Sequence, residues 1–331
     1  KLGYSFSTED GVLTYRYQMY QVLPKVPSGE GKLTLFFLKK LYSKIVKEHG
    51  DMDMIHAHSI IYGGYAASVL AKQKNIPFVV TEHNSIYLKD LLTPFQKKVT
   101  SLTLQNADAI VTVSEALKKQ LKAYTQKTIT VIPNIVDVKH FNYQPIAANQ
   151  KPFIFFSAAF LHKAKGMHEL LEAFSKSFKG NKDVLLYIAG DGKERPFLEK
   201  FVENEKIQSQ VTFLGALSRK EIADWMKKSH VFVLASHFET FGVVFIEALA
   251  SGRPVIGTMC GGPEEIIHEG NGKLVPIRNT ELLASAMKTM KKEYSHYDGE
   301  KIRQDCFNRF SEEIVTSKIM RIYERVVSKK R

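Results

Sequence analysis

Two series of short apolar runs alternate with helical patterns along this chain, and that alternation constrains its fold more than any other feature. Such an alternation is typical of βαβ units, which build parallel sheets. The first series predicts strands at 12–17, 54–57, 78–81, 109–113 and 130–132. The second series predicts strands at 153–157, 184–190, 211–215, 231–235, 254–258 and 272–276. Amphipathic helical patterns fill the gaps, among them 33–49 in the first series and 167–178 in the second.

The segment between the two series has the composition of a linker. Residues 142–152 carry two prolines and two asparagines with little apolar content. A chain of 331 residues is long enough for two domains, each with its own core. We therefore predict two doubly wound, Rossmann-like α/β domains, an N-terminal one over 1–147 and a C-terminal one over 148–308. Ligands in such sheets bind beyond the carboxyl ends of the strands, so we expect a cleft there.

The charge balance is basic, with 47 Lys and Arg against 34 Asp and Glu, a net charge of +13. Such a surplus attracts polyanions or anionic lipid, although no RNA-binding pattern accompanies it and we expect no nucleic-acid partner. Two interpretations stay open, namely solvated helix faces and peripheral contact with an anionic membrane. No apolar run is long enough for a membrane span, and the two cysteines suit a reducing compartment. We expect a cytoplasmic protein, with the inner face of the membrane as the surface it could contact.

Two carboxylates, Glu239 and Glu247, bracket an otherwise apolar run within "HFETFGVVFIEALASGRPV". Charged groups rarely lie beside a core unless something pairs with them. After the predicted strand 231–235, the chain turns and enters a helix near Gly242. The unsatisfied N–H groups at that helix start suit a diphosphate. Glu247 lies about two helical turns beyond Glu239 and shares a helix face with the residues near Gly242.

The stretch "SHFETFGVVFIEALASGRPVIGTMCGGPEEIIHEGNGKLV" resembles the nucleotide-sugar-binding half of the retaining glycosyltransferases with the GT-B fold, in the large family 4. Upstream pieces agree in order and spacing, from about Asp53 onward: "HAH", "VVTEHN", "ADAIVTVS", "VIPNIVDVKHF", "KAKG", "IAGDG" and "VTFLG". The resemblance implies transfer of a sugar, with retention of configuration, from a nucleotide diphosphate sugar to a hydroxyl acceptor. It implies no metal and no other cofactor. It also implies that residues 309–331 form a closing helix that packs back toward the N-terminal domain.

The resemblance further assigns roles to residues on the donor side. It implies that Glu239 holds hydroxyls of the donor sugar, that Glu247 takes the ribose hydroxyls, and that Lys165 contacts the diphosphate and stabilises the leaving group. Further donor-binding candidates are Thr240, Phe241, Gly242, Gly190, Gly192, Leu214, Gly215 and Leu217. For Gly190 and Gly192, a plain turn accounts for the glycines equally well.

One position departs from the family pattern. Phe160 stands where relatives have an arginine that accompanies the lysine, which leaves the second cation unassigned. His162 and Lys163 are the neighbouring candidates for this role.

On the other side of the expected cleft, the resemblance implies that His83 contacts the donor sugar near the reaction centre. A structural histidine is the alternative interpretation. Zinc bound by His56, His58 and His83 is disfavoured, because no carboxylate or cysteine completes a ligand spacing. Further candidates for the acceptor side or the cleft are His58, Gly63, Gly64 and Asn134.

The Asp51-Met-Asp53 motif looks like the metal motif of another glycosyltransferase fold. It precedes a predicted buried strand, however, and therefore lies at the end opposite to a ligand site.

The favoured function is thus a glycosyltransferase acting in cell-surface polysaccharide or glycolipid synthesis. Its donor would be a UDP-, GDP- or ADP-sugar and its acceptor a glycan or a lipid-linked precursor. Two alternatives are a nucleotide-sugar epimerase of similar fold and a non-catalytic nucleotide-sugar-binding module. Relatives open with a strand, a glycine-rich turn and a helix that this chain lacks. We therefore expect one or two βα units, about 30–60 residues, to precede Lys1 in the full protein.

Overall fold

The computed structural model describes residues 3–18 and 27–329, which form two compact units. The first unit contains the chain up to Val113, Leu117–Ile132 and the segment that begins at Lys318. The second unit contains Ser114–Ala116 and Pro133–Ser317. The predicted α/β class with parallel sheets is confirmed in both.

The first unit is built on a four-stranded parallel sheet whose strands follow their order in the chain. These strands are β3 (Ile55–His58), β4 (Phe78–Glu82), β5 (Ala109–Thr112) and β6 (Ile129–Val131). Helix α1 (Pro27–His49) precedes β3, and the helices between the strands are α2 (Tyr65–Lys74), α3 (Pro94–Asn106) and α4 (Glu115–Leu121). Strands β4 and β5 are buried along their whole length, as expected for a parallel sheet covered on both faces.

The predicted strand 12–17 exists, but its assignment to the parallel series is wrong. Val12–Gln18 (β2) pairs in antiparallel register with Gly3–Glu9 (β1), and the two form a separate two-stranded sheet. Asp10 and Gly11 form the turn with φ of 48° and 81°. An Asp-Gly pair with two positive φ angles is the preferred two-residue hairpin turn, so local turn chemistry dictates this pairing.

The second unit is built on a six-stranded parallel sheet in the order β12-β11-β10-β7-β8-β9. Its strands are β7 (Phe153–Ala158), β8 (Val184–Ala189), β9 (Val211–Gly215), β10 (Val231–Val233), β11 (Val255–Thr258) and β12 (Gly272–Val275). The helices are α5 (Met167–Phe178), α6 (Arg195–Asn204), α7 (Arg219–Lys228), α8 (Val243–Ala250), α9 (Thr280–Lys292) and α10 (Gly299–Phe310). Helix α11 (Glu312–Ser328) closes the described chain.

The core of the second unit lies along the central strands of its sheet. Phe155, Phe156, Phe232 and Ile256 are fully buried. Helices α5 and α9 pack against each other beside this sheet, while α8 packs against α10. The central strands are therefore packed tightly against the helices beside them.

Candidate functional site

The loops that follow β7 and β10 meet at the carboxyl edge of the six-stranded sheet. The two strands are neighbours although β8 and β9 separate them in the chain, so the strand order reverses between them. Ligands bind at such switch points in doubly wound sheets. The His237 N–H donates to the Ala164 carbonyl at 2.8 Å, and a Cβ on Gly166 would lie 1.8 Å from the Ala235 carbonyl oxygen. Gly166, with φ of 63°, thus lets the two loops touch.

Lys165 and Glu239 form an ion pair across these two loops. Lys165 Nζ lies 2.6 Å from Glu239 Oε1, and the Ser236 hydroxyl donates to the same oxygen at 2.8 Å. The side chains are 31% and 13% exposed, respectively. The pair is accessible enough for a ligand to enter it, and the lysine already lies beside a carboxylate that a ligand could share.

Backbone hydrogen bonds fix Glu239 independently of its side chain. Its N–H donates to the Cys260 carbonyl at 3.3 Å, and its carbonyl accepts from the Gly262 N–H at 2.8 Å. A Cβ on Gly262 would lie 2.2 Å from Phe241 Cα, so close packing explains why this position is a glycine. The carboxylate is therefore presented by a loop with little freedom to move.

Helix α8 begins directly after this loop. Gly242 precedes its first turn with φ of 97° and, as a glycine, offers no side-chain cap, while the Phe245 N–H donates to the Gly242 carbonyl at 2.9 Å. The N–H groups of this first turn carry partial positive charge, which suits an anion. Thr240 is half-buried, whereas the Phe241 side chain is buried against Phe310 with ring centroids 5.7 Å apart. The Phe241 side chain therefore belongs to the core, and only its backbone is left to contact a donor.

Glu247 lies on α8 one turn after Val243, and its side chain is only 15% exposed. Burial raises the pKa of its carboxyl to about 7, nearby Arg219 lowers this pKa, and Asp137 raises it. Arg219 Nε lies 3.9 Å from Glu247 Oε1, and its Nη1 lies 3.7 Å from Asp137 Oδ2. The sequence analysis missed Arg219, because its partner Glu247 is distant in sequence.

Gly190 and Gly192 owe their identity to packing between neighbouring loops. A Cβ on Gly190 would lie 1.9 Å from the Ala159 carbonyl oxygen, and one on Gly192 would lie 2.3 Å from that of Leu161. Their φ angles are 129° and 157°. These contacts account for both glycines without a ligand. The Gly190 N–H also donates to the Gly215 carbonyl at 2.7 Å, which ties this loop to the end of β9, where Leu214 and, just beyond the strand, Leu217 are half-buried.

In the first unit, three histidines lie together where β3 and β4 end. His58 Nδ1 and His83 Nε2 are 3.0 Å apart, and their rings stack. His56 contacts the Thr81 hydroxyl at 2.8 Å and the Tyr323 hydroxyl at 2.6 Å. Burial, together with the charges of His58 and His83, lowers the pKa of His56 to about 4. His56 is therefore neutral near pH 7 and acts as a hydrogen-bonding strut between β3, β4 and α11.

Glu82 is a second residue that the sequence analysis missed. It is fully buried at the end of β4, and burial raises its pKa. Its Oε1 accepts from the N–H groups of His83 and Asn84 at 2.8 and 2.7 Å, and its Oε2 accepts from the Ile60 N–H at 2.8 Å. The charged residue inside the apolar run "FVVTE" was the available signal.

The remaining first-half candidates have backbone roles or lie in the segment after β6. Gly64 ends an irregular turn over Ile60–Gly64, where a Cβ would lie 2.5 Å from the Ser59 carbonyl oxygen. Gly63 is exposed, with open space around it. Asn134 is half-buried and belongs to the second unit.

Comparison with known proteins bears directly on these loops. The family model "Glycosyl transferases group 1" matches residues 137–305, just over half of the chain, and "Glycosyltransferase Family 4" matches residues 6–140. This protein belongs to the group 1 glycosyltransferases. The match to the first model contains Lys165, Glu239 and Glu247, so the site described above lies within the family's own region.

Individual relatives are distant in sequence. This glycosyltransferase is 28% identical over 297 residues to N-acetyl-alpha-D-glucosaminyl L-malate synthase of Bacillus anthracis, covering 85% of this chain and 77% of the relative. It is 25% identical to alpha-monoglucosyldiacylglycerol synthase of Acholeplasma laidlawii, covering 79% and 72%. Among solved structures, HepE of Anabaena in complex with UDP superposes with a TM-score of 0.74 at 19% identity, covering 88% and 84%. That structural likeness confirms the predicted GT-B fold.

The cation missing at Phe160 stays unassigned in the glycosyltransferase. Phe160 itself is 66% exposed. His162 Nδ1 accepts from the Ala164 N–H at 3.2 Å, so this ring caps its own turn, and Lys163 is exposed. Among the residues the structure describes, no helix is both long and apolar enough to cross a bilayer.

Proposed function

We propose that this glycosyltransferase transfers a sugar from a nucleotide diphosphate sugar to a hydroxyl acceptor with retention of configuration and without a metal. The observation that carries the proposal is the Lys165–Glu239 pair, 2.6 Å apart, immediately before the uncapped start of α8. A cation, a free helix N-terminus and a carboxylate are what a sugar diphosphate requires: two positive partners for phosphate and one acceptor for hydroxyls.

In this proposal the donor spans the carboxyl edge of the second sheet. Glu247 accepts hydrogen bonds from the two ribose hydroxyls, and the diphosphate lies between Lys165 and the first turn of α8. Glu239 accepts from hydroxyls of the transferred sugar while it keeps its contact with Lys165. The complex of HepE with UDP supports a nucleoside diphosphate as the ligand class.

The chemistry then follows from charge. The bond between the anomeric carbon and the diphosphate oxygen breaks, and negative charge develops on that oxygen. Lys165 and the N–H groups of α8 stabilise this charge because both lie beside the proposed diphosphate position. The acceptor hydroxyl attacks from the face that the diphosphate leaves, and its proton passes to a diphosphate oxygen. No protein side chain needs to act as a strong base, and retention follows from attack on the same face.

For the acceptor, we propose a lipid-linked or polysaccharide precursor used at the inner face of the membrane. One relative is an alpha-monoglucosyldiacylglycerol synthase, which is named for a glycolipid. The net charge of +13 favours approach to an anionic surface.

A release assay tests the proposal. The protein is incubated with UDP-glucose, UDP-N-acetylglucosamine, GDP-mannose or ADP-glucose, each with and without glycan and lipid acceptors, and free nucleoside diphosphate is measured. We expect release from one donor only when an acceptor is present, and proton NMR of the product should show the donor's anomeric configuration. Conversion of the donor without any acceptor would instead indicate an epimerase, and binding without turnover a binding module.

A further inference from the structure

Arg219 occupies the first position of α7 and extends toward two carboxylates on other elements. Its Nε lies 3.9 Å from Glu247 Oε1 on α8, and its Nη1 lies 3.7 Å from Asp137 Oδ2. The guanidinium also lies over the Phe141 ring, 5.6 Å from its centroid. Ser218 caps α7 just before it in a reciprocal capping box with Glu221, so the start of the helix is fixed. The position of Arg219 is thus set by the capped start of α7, by the Phe141 ring and by the two carboxylates.

Arg219 affects Glu247 strongly because the Glu247 carboxylate is largely buried. A largely buried carboxylate is disfavoured in its charged form unless a cation faces it. Within 3–18 and 27–329, Arg219 is the cation that forms an ion pair with Glu247, at 3.9 Å. From α10, Arg303 and Cys306 bond to the α8 carbonyls of Ala250 and Ile246 and not to the Glu247 side chain. Glu239, in the loop before α8, is paired with Lys165 from the turn after β7.

We propose that Arg219 is a positioning residue that keeps Glu247 ionised and thereby sets the pH above which the nucleotide donor binds well. This inference rests on the proposed role of Glu247 in ribose binding. Two ribose hydroxyls need two acceptor oxygens, and a protonated carboxyl loses part of that capacity. The pKa of Glu247, about 7 in the free protein, lies where a modest electrostatic change alters its ionised fraction strongly. Asp137 raises the pKa of Glu247 whereas Arg219 lowers it, so the two residues act on this carboxyl in opposite directions.

The first test needs no ligand. Protein labelled with ¹³C at the glutamate carboxyl carbons is titrated by NMR, and Glu247→Gln identifies the Glu247 signal. We expect a midpoint near pH 7 in the wild type. Arg219→Gln should raise it by roughly half a unit to one unit, since the guanidinium is half exposed and partly screened. Arg219→Lys should restore most of the wild-type value, and Asp137→Asn should move the midpoint downward. Unchanged Glu247 midpoints in both uncharged variants, Arg219→Gln and Asp137→Asn, would overturn the proposal.

The second test measures UDP, GDP and ADP binding by calorimetry between pH 6 and pH 9. We expect wild-type affinity to rise through pH 7, and Arg219→Gln to bind about two- to threefold more weakly at pH 7.5 but equally at pH 9. A variant weakened by the same factor at every pH would overturn the proposal, since that is what a merely structural role predicts. If no nucleotide binds, or Glu247→Gln binds as tightly as the wild type, the ribose role fails. The ligand-free titration still judges the Arg219–Glu247 pair by itself.

Discussion

Glu82 ends one buried strand of a parallel sheet and Glu239 lies in the loop after another, and each receives several hydrogen bonds, but their partners differ. Three backbone N–H groups surround Glu82, and its side chain is fully buried. Glu239 receives its hydrogen bonds from Lys165 and the Ser236 hydroxyl, and its side chain is 13% exposed. Backbone donors cannot leave without unfolding a loop, whereas a lysine can turn toward a ligand. The comparison separates a carboxylate that holds the fold from one that is free to exchange partners.

The largest effect should be the loss of stability when the Glu82 carboxylate is removed from the first unit. Glu82→Ala leaves the buried N–H group of Ile60 and the part-buried N–H groups of His83 and Asn84 without their acceptor, which should cost about 3 kcal/mol of unfolding free energy. For a domain of this size, the melting temperature of the first unit should fall by roughly 6–12 °C in calorimetry.

Glu239→Gln is the matched control for that variant. Its melting temperature should stay close to that of the wild type, while transfer falls. Equal destabilisation by the two changes would remove the distinction drawn above.

The next effect is on the transfer rate and concerns Lys165, the partner of Glu239. Lys165→Ala should slow transfer by about a hundredfold or more, as expected for the loss of one electrostatic stabiliser of the leaving group. Lys182→Ala is the control, because Lys182 is exposed just before β8, at the amino end of the sheet, and its replacement removes the same charge from the protein. The measurement is kcat with the donor identified by the release assay. Normal turnover by Lys165→Ala would disprove its assignment.

Much of the fold followed from local pattern, whereas the site contacts did not. Helix α5 was predicted over 167–178 and lies at those residues, because its apolar periodicity and the glycine before it are both local signals. Helix α1 was predicted to begin at 33 but begins at Pro27, a favoured first helical residue that the prediction overlooked. The Asp10-Gly11 hairpin turn was also a readable signal.

The ion pairs of the site depend on the tertiary fold and not on local sequence. Lys165 and Glu239 are 74 residues apart, and only the reversal of strand order between β7 and β10 brings them within 2.6 Å. Arg219 meets Glu247 for the same kind of reason, across two helices. Spacing in a single sequence does not encode such pairs. Phe241 shows the reverse case, because a residue inside a functional motif proved to be core.

A smaller effect is expected for the ribose carboxylate. Glu247→Ala should weaken binding of the nucleoside diphosphate by roughly 1–3 kcal/mol, the scale for losing a charged hydrogen-bond acceptor. Calorimetric titration of the wild type and the variant at pH 8 measures this, since most of the Glu247 carboxyl is then ionised. Unaltered affinity would remove Glu247 from the donor site and leave Glu239 as the one carboxylate of the motif with a proposed contact.

The smallest effect, none at all, is expected from metal removal. Lys165 and the start of α8 are proposed to supply the positive charge that a divalent ion would otherwise bring to the diphosphate. Asp51 and Asp53 precede β3 and so lie at the amino end of that strand, opposite to the edge where ligands bind. Transfer measured with EDTA should therefore equal transfer measured with added magnesium or manganese. Activity abolished by EDTA and restored by manganese would contradict this. The variants Asp51→Asn and Asp53→Asn would then show whether these aspartates hold the ion or whether the donor diphosphate carries it into the site.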